Sequence, residues 1–217
     1  MTIATEIPAV DLPRMISGNI IAENVSLDDF LANYDGMRVE WTEGFVIEMA
    51  GIDKRHAALS KFFLFLFSAT LEQTTGGDVF QDPMLMVFPD ICSRAPDLQV
   101  ILPHKAHQVQ QKNVLGASDL IVEIVSQGSQ NTDRVDKFGE YARASVPEYW
   151  IIDPIFKEVL FYVLNEMGEY ERIAPVDGVY TSKMLPQLKL PIAVLWQDML
   201  PNMAETMALV QGMLNSA

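Results

Sequence analysis

The period of apolar positions changes several times along this chain, and each change predicts an element. Ser26 is a good N-cap and Asp28 and Asp29 suit a first turn, so residues 27–34 should form a short helix that Asp35-Gly36 ends. Residues 37–41 and 45–50 read as a hairpin across Thr42-Glu43-Gly44, with Glu40 and Glu48 as ordinary solvent-face alternation rather than ligands. Asp53 caps an expected helix over residues 54–73. Its Leu59, Phe62, Phe63, Leu66, Ala69 and Thr70 give a broad apolar face, and Phe65 and Phe67 extend it nearly all round, so it should lie on a sheet and could also meet a second subunit. Residues 79–81 and 84–88 read as strands interrupted by Pro83, and residues 159–164 and 170–173 as a hairpin. A last helix is expected over residues 204–214. The stripe Met203, Met207, Val210, Leu214 reads as packing or dimer surface. Residues 1–25, with Pro8, Pro13 and Gly18 and no sustained period, read as a loose N-terminal arm, leaving residues 26–217 as a single domain.

Residues 116–154 organise the rest, reading as strand, loop, helix, strand. The first apolar run, 119–125, carries one acid, Glu123. The helix, 133–144, sets Val135, Phe138 and Ala142 on its packed side and Lys137 on its flank beside Tyr141. A carboxylate in a buried run is costly unless it is paired or bound to a metal. Upstream, Pro96 forces an extended entry and Asp97 opens another apolar run. Two neighbouring strands that each carry an acid can present both to one divalent cation. On residues alone, pairing with arginine or backbone donors explains such acids as well, and Lys137 reads as a surface lysine.

The runs RAPDLQVIL, LIVEIVS and DRVDKFGEYARASVPEYWIIDP, together with FLANYDGMRVEWTEGFVIEMAG and the following His56, resemble the Uma2 family of restriction-endonuclease-like proteins. This is a bacterial branch of the PD-(D/E)XK nuclease superfamily. The similarity spans roughly residues 27–195. It implies a restriction endonuclease-like α/β fold: a mixed sheet with the 54–73 helix on one face, the 133–144 helix on the other, and extra hairpins. In the superfamily pattern the second acid is followed two positions on by lysine, but Val125 stands there. Members of this branch supply the lysine from the next helix, which points to Lys137. The resemblance therefore implies Asp97, Glu123 and Lys137 as catalytic residues, with Asp97, Glu123 and the Ile124 carbonyl holding Mg2+ or Mn2+. His56, Arg94 and Tyr141 are candidate substrate contacts. For Arg94 a plain salt bridge is the simpler reading. Ser118 replaces a usual proline, and Ser126-Gln127-Gly128-Ser129 replaces the usual Ser-Pro-Ser-Thr.

The chain has 217 residues, 49% of them hydrophobic, enough to bury a sizeable core. Its one cysteine, Cys92, excludes an internal disulfide framework and suits a cytoplasmic protein. The start, MTIATEIPAVDLPRM, does not read as a secretory signal, and the run 62–67 is too short to cross a membrane. A formal net charge of −14 weighs against avid nonspecific binding to nucleic acid, since lysine and arginine contacts to phosphate normally supply that affinity. Residues 104–112, HKAHQVQQK, are the locally basic exception, explained equally well as a solvated loop or as a nucleic-acid contact. The expectation is a metal-dependent endonuclease acting on nucleic acid, DNA first, as a homodimer because a duplex has two strands to cut. The alternatives are a nuclease-fold scaffold that binds protein or nucleic acid without cleavage, and a hydrolase of a small phosphodiester.

Overall fold

The structure, a computed structural model, describes residues 16–215. The first fifteen residues of the expected arm lie outside that range. The arm ends earlier than expected, because β1 (Asn19–Ala22) is a paired strand. There follow α1 (Leu27–Asn33), capped by the Ser26 side chain, then the hairpin β2 (Val39–Thr42) and β3 (Phe45–Glu48). Helix α2 (Lys54–Gln73) starts at Asp53, whose carboxylate accepts from the His56 amide. Next come β4 (Asp78–Gln81), β5 (Leu85–Phe88), β6 (Cys92–Arg94), β7 (Leu98–Ile101), a 3-10 turn at Pro103–Gln108, and β8 (Asn113–Leu115). The central stretch supplies β9 (Leu120–Ile124), a π-helical turn at Thr132–Asp136, α3 (Lys137–Arg143) and β10 (Glu148–Asp153). The chain ends with β11 (Glu158–Leu164), β12 (Tyr170–Ile173), β13 (Val179–Thr181), β14 (Lys189–Pro191) and α4 (Met203–Asn215).

The expected mixed sheet is present as two six-stranded sheets, ordered β1-β3-β2-β6-β5-β8 and β12-β11-β10-β9-β7-β4, with β13 and β14 forming a small pair. In the second sheet β9 and β10 are parallel and every other neighbour is antiparallel. Strand alternation sorts β9 between two cores. Leu120, Val122 and Ile124 face Leu59, Phe63 and Leu66 of α2, while Ile121 and Val125 face Tyr141 and Ala144 and, from the first sheet, Met86 and Cys92. Val210 and Met213 of α4, with Tyr180, Leu188 and Leu195, complete the α2 cluster, while Phe65 stays half-buried outside it.

Two fully buried charged groups fasten these layers. Glu148, at the start of β10, accepts four hydrogen bonds, from Trp150 Nε1 at 2.8 Å, Tyr180 Oη at 2.7 Å, Ser182 Oγ at 2.8 Å and the Met184 amide at 2.7 Å. Arg94 donates from Nε and Nη2 to the Glu140 carboxylate at 2.7 and 2.9 Å, and from Nη1 to Glu40 at 2.8 Å. It thereby ties β6 and β2 to α3. Glu40 is thus 5% exposed and not on a solvent face: β2 lies between β3 and β6, and the guanidinium offsets the cost of burying its carboxylate.

Removing a buried charge that holds several partners leaves those partners unsatisfied. Glu148→Ala should lower unfolding free energy by roughly 3 kcal/mol or more in urea denaturation, since four donors lose their acceptor. Arg94→Ala should cost about 3–5 kcal/mol in the same assay by removing the guanidinium that both Glu40 and Glu140 bond.

Candidate functional site

Strand register brings the two expected acids together. In the antiparallel pair of β7 and β9, Leu98 lies opposite Val122, Gln99 opposite Ile121 and Val100 opposite Leu120. One step further sets Asp97 opposite Glu123, and opposed residues on neighbouring strands share a face. That face is the one turned to α3. Backbone pairing of β7 stops at Leu98, and the Asp97 side chain continues it, with Oδ2 accepting from the Ile124 amide at 2.6 Å. A strand residue directs its N–H and C=O to the same edge, so the Ile124 carbonyl lies on the Asp97 side as well. The first turn of α2 brings His56 Nε2 to 3.1 Å from the same Asp97 oxygen.

Lys137 arrives from the opposite layer. Its Nζ lies 2.9 Å from Glu123 Oε1, 3.4 Å from Glu40 Oε1 and 3.6 Å from Asp133 Oδ1. The side chain is 7% exposed, so the expected position on the helix flank is corrected. The buried stripe is Asp133, Asp136, Lys137, Glu140, Tyr141 and Ala144, a regular three-and-four spacing, whereas Val135 is 62% exposed. Hydrophobic periodicity missed this stripe because the helix buries charged side chains held by Arg94 and by Lys137, while Phe138 packs half-buried against Tyr162 and Tyr170 as expected. The π-helical turn directly before Lys137 is a distortion that often accompanies functional sites.

A cavity of about 470 Å3 opens here, with Glu40, His56, Asp97, Glu123, Asp133 and Lys137 in its wall beside Ile124. Two of the expected substrate contacts are placed elsewhere. Arg94 is wholly buried with its guanidinium divided between Glu40 and Glu140, which matches the salt-bridge reading and not a phosphate contact. Tyr141 is also buried, and its hydroxyl donates to Glu123 Oε1 at 2.7 Å, so it holds the acid rather than a substrate. Only His56 of the three reaches the cavity, and its Nδ1 has no hydrogen-bond partner among the described residues. Glu40 and Asp133 are the additions. The spacing of Asp133, Asp136, Lys137 and Glu140 was a legible polar stripe, but nothing local in the sequence marked Glu40. The basic run 104–112 is partly neutralised, with Lys105 at 3.1 Å from Asp119 and Lys112 paired to Asp35.

The electrostatics are those of too many acids around one ammonium. Burial pushes the Glu123 carboxyl well above its usual range, and Asp97, Asp133 and Glu40 add to the shift against Lys137. Burial pushes Asp133 up to about 6. For Lys137 burial acts downward, but Glu123, Glu40 and Asp133 outweigh it and hold the ammonium well above the ordinary lysine value. Burial likewise opposes the charged form of His56, yet its hydrogen bond to Asp97 and the nearby acids raise it overall. This surplus of carboxyl groups is what a divalent cation would relieve. Asp97 Oδ1 and Glu123 Oε2 are not among the oxygens that make the bonds above, and with the Ile124 carbonyl they form a hard oxygen set of the kind Mg2+ takes alongside several waters. Among the described residues no group of three or more His, Cys, Asp or Glu side chains is disposed to hold a metal, and two carboxylates with a main-chain carbonyl fall below that count.

Comparison with known proteins agrees with this arrangement of strands and helices. A crystal structure from Anabaena variabilis ATCC 29413, described as a "putative nuclease belonging to DUF820", superposes with a TM-score of 0.68 at 21% identity, covering 79% of this chain and 97% of that one. The two chains share this mixed α/β fold. No curated protein sequence matches the chain. Among the described residues no helix is long and apolar enough to cross a membrane. Residues 27–193 match the family profile described as "Putative restriction endonuclease", and over that length the chain belongs to the Uma2 family.

Proposed function

We propose that this protein is a divalent-metal-dependent endonuclease that hydrolyses phosphodiester bonds of nucleic acid, DNA in the first instance. The observation that carries the reading is convergence: Asp97, Glu123 and the Ile124 main chain from two strands, with Lys137 from a separate helix, all border one cavity. Asp97, Glu123 and the Ile124 carbonyl would hold Mg2+ or Mn2+. When bound, such an ion offsets charge building on the phosphate and lowers the pKa of water. Lys137, kept protonated by its carboxylates, acts as a hydrogen-bond donor and fixed positive charge toward a phosphoryl oxygen or the attacking water. In that state it has no lone pair with which to take up a proton. His56 fixes the Asp97 oxygen that also holds Ile124, leaving the other oxygen for the ion. Where the substrate is a duplex, cutting both strands requires two such sites, which a homodimer would supply.

A second reading rests on one distance. Lys137 Nζ already lies 2.9 Å from Glu123 Oε1, so an ammonium neutralises the acid that a cation would use. On that reading the protein is a nuclease-fold scaffold that binds without cutting.

Metal titration and cleavage separate the two. By calorimetry the wild-type protein should give a Mg2+ or Mn2+ binding heat that Asp97→Asn abolishes; a silent wild-type titration identifies the scaffold. In a cleavage assay with Mn2+, Glu123→Gln, which preserves side-chain shape, should fall to background. Lys137→Gln should lose roughly 10²–10³-fold in rate. Undiminished cleavage by Glu123→Gln rejects the assignment of these residues.

A further inference from the structure

A second cavity, of about 690 Å3, lies between the α1–β2 turn and the β4–β5 turn. It adjoins the first, since Arg38, Met49 and Ala95 border both. Its character is different. Where the first is walled by charged side chains, this one presents Tyr34 and Phe80, both half-buried, and Met37, which is 50% exposed at its rim. Its polar lining comprises the Lys112–Asp35 ion pair, Gln81 and Asn113 at the edges, and Arg38 with Asp82. Arg38 Nη2 reaches Asp82 Oδ2 at 3.0 Å, and Asp82 Oδ1, though buried, has no hydrogen-bond partner among the described residues. An aromatic and thioether wall with one unsatisfied carboxylate oxygen and an adjacent guanidinium matches a flat, apolar-faced group whose edge carries N–H donors and acceptors. A nucleobase has that chemistry: its faces stack on aromatic side chains, and its amino or imino hydrogens meet a carboxylate.

We propose that this second cavity is a nucleobase subsite, which takes an unstacked base flanking the phosphodiester held at Asp97 and Glu123. The substrate is then single-stranded or locally unpaired nucleic acid. This rests on the nuclease reading of the first cavity. It also accounts for a property that reading leaves unexplained. With a net charge of −14 the protein has little means of gripping nucleic acid through phosphates alone, and binding centred on a stacked base supplies affinity that does not depend on basic residues. Arg38, on the border of the two cavities, sits where the sugar-phosphate link between base and scissile bond would pass.

The test measures binding of the full chain to fluorescently labelled oligonucleotides by anisotropy, in chelator so that nothing is cut. An intact single strand should bind roughly tenfold more tightly than the same strand with its central bases removed, the scale of one or two lost stacking contacts. That preference should shrink to near unity in Phe80→Ala and in Met37→Ala. The second variant alters a half-exposed side chain and keeps the test valid if the first fails to fold. Equal binding of intact and abasic strands, an abasic penalty unchanged in Met37→Ala, binding of fully paired duplex as tight as of single strand, or no measurable binding to any strand overturns the subsite. Cleavage with Mn2+ is scored separately. Base-dependent binding without cleavage removes the catalytic reading and keeps the subsite, whereas cleavage with no base dependence does the reverse.

Discussion

A lysine ammonium shielded from water is the constraint on which the surrounding structure depends. Taking such a charge out of solvent costs several kcal/mol unless opposite charge and hydrogen bonds replace the lost hydration. Lys137 meets this requirement with Glu123, Glu40 and Asp133, and each of those acids then needs its own support. Glu40 has Arg94 and the Ala95 amide, and Glu123 has the Tyr141 hydroxyl. Arg94 in turn needs Glu140, which also accepts from Thr42. The demand of one ammonium thus extends through β2, β6, β9 and α3. That chain of compensation is why the two sheets meet across polar groups here, while the α2 side of the second sheet is apolar apart from Glu148 and its four donors.

The same network gives the cavity its sign. Acids outnumber bases around Lys137, and the excess shows in the upward displacement of Glu123 and Asp133. A divalent cation held there, as proposed, would offset that sign toward a polyanion. Such an ion would reconcile two features that conflict in the composition: a strongly acidic chain, and membership of a family whose name implies a polyanionic substrate.

Much of the fold was legible because apolar periodicity and caps agree with each other. Asp53 and the phenylalanine-rich face fixed α2 to the residue, and the glycine-containing turn fixed the β2–β3 hairpin. The acids Asp97 and Glu123 were legible for a different reason, since a lone carboxylate in an apolar strand calls for a partner. Lys137 was not legible by pattern, because α3 packs its charged stripe inward and leaves Val135 outside, the reverse of what hydrophobicity suggests. Glu40 was read as a solvent-face residue because strand alternation treats every second polar residue alike, and only the long-range pairing of β2 with β6 reveals that its side chain is enclosed. Arg94 and Tyr141 were placed near the chemistry correctly but one layer too close to it.

The bond from the Ile124 amide to Asp97 has a thermodynamic meaning beyond its place in the sheet. A carboxylate that stands in for a backbone carbonyl cannot rotate without breaking the strand edge, so its rotamer is set when the sheet forms. Tyr141 and Lys137 restrain Glu123 in the same manner. The entropy of ordering both acids is therefore lost during folding, and an ion bound there, as proposed, would find its ligands already immobile. A metal site of this kind, as proposed, would need little rearrangement of its two acids, and its affinity would be governed by how readily the ammonium yields its position beside Glu123.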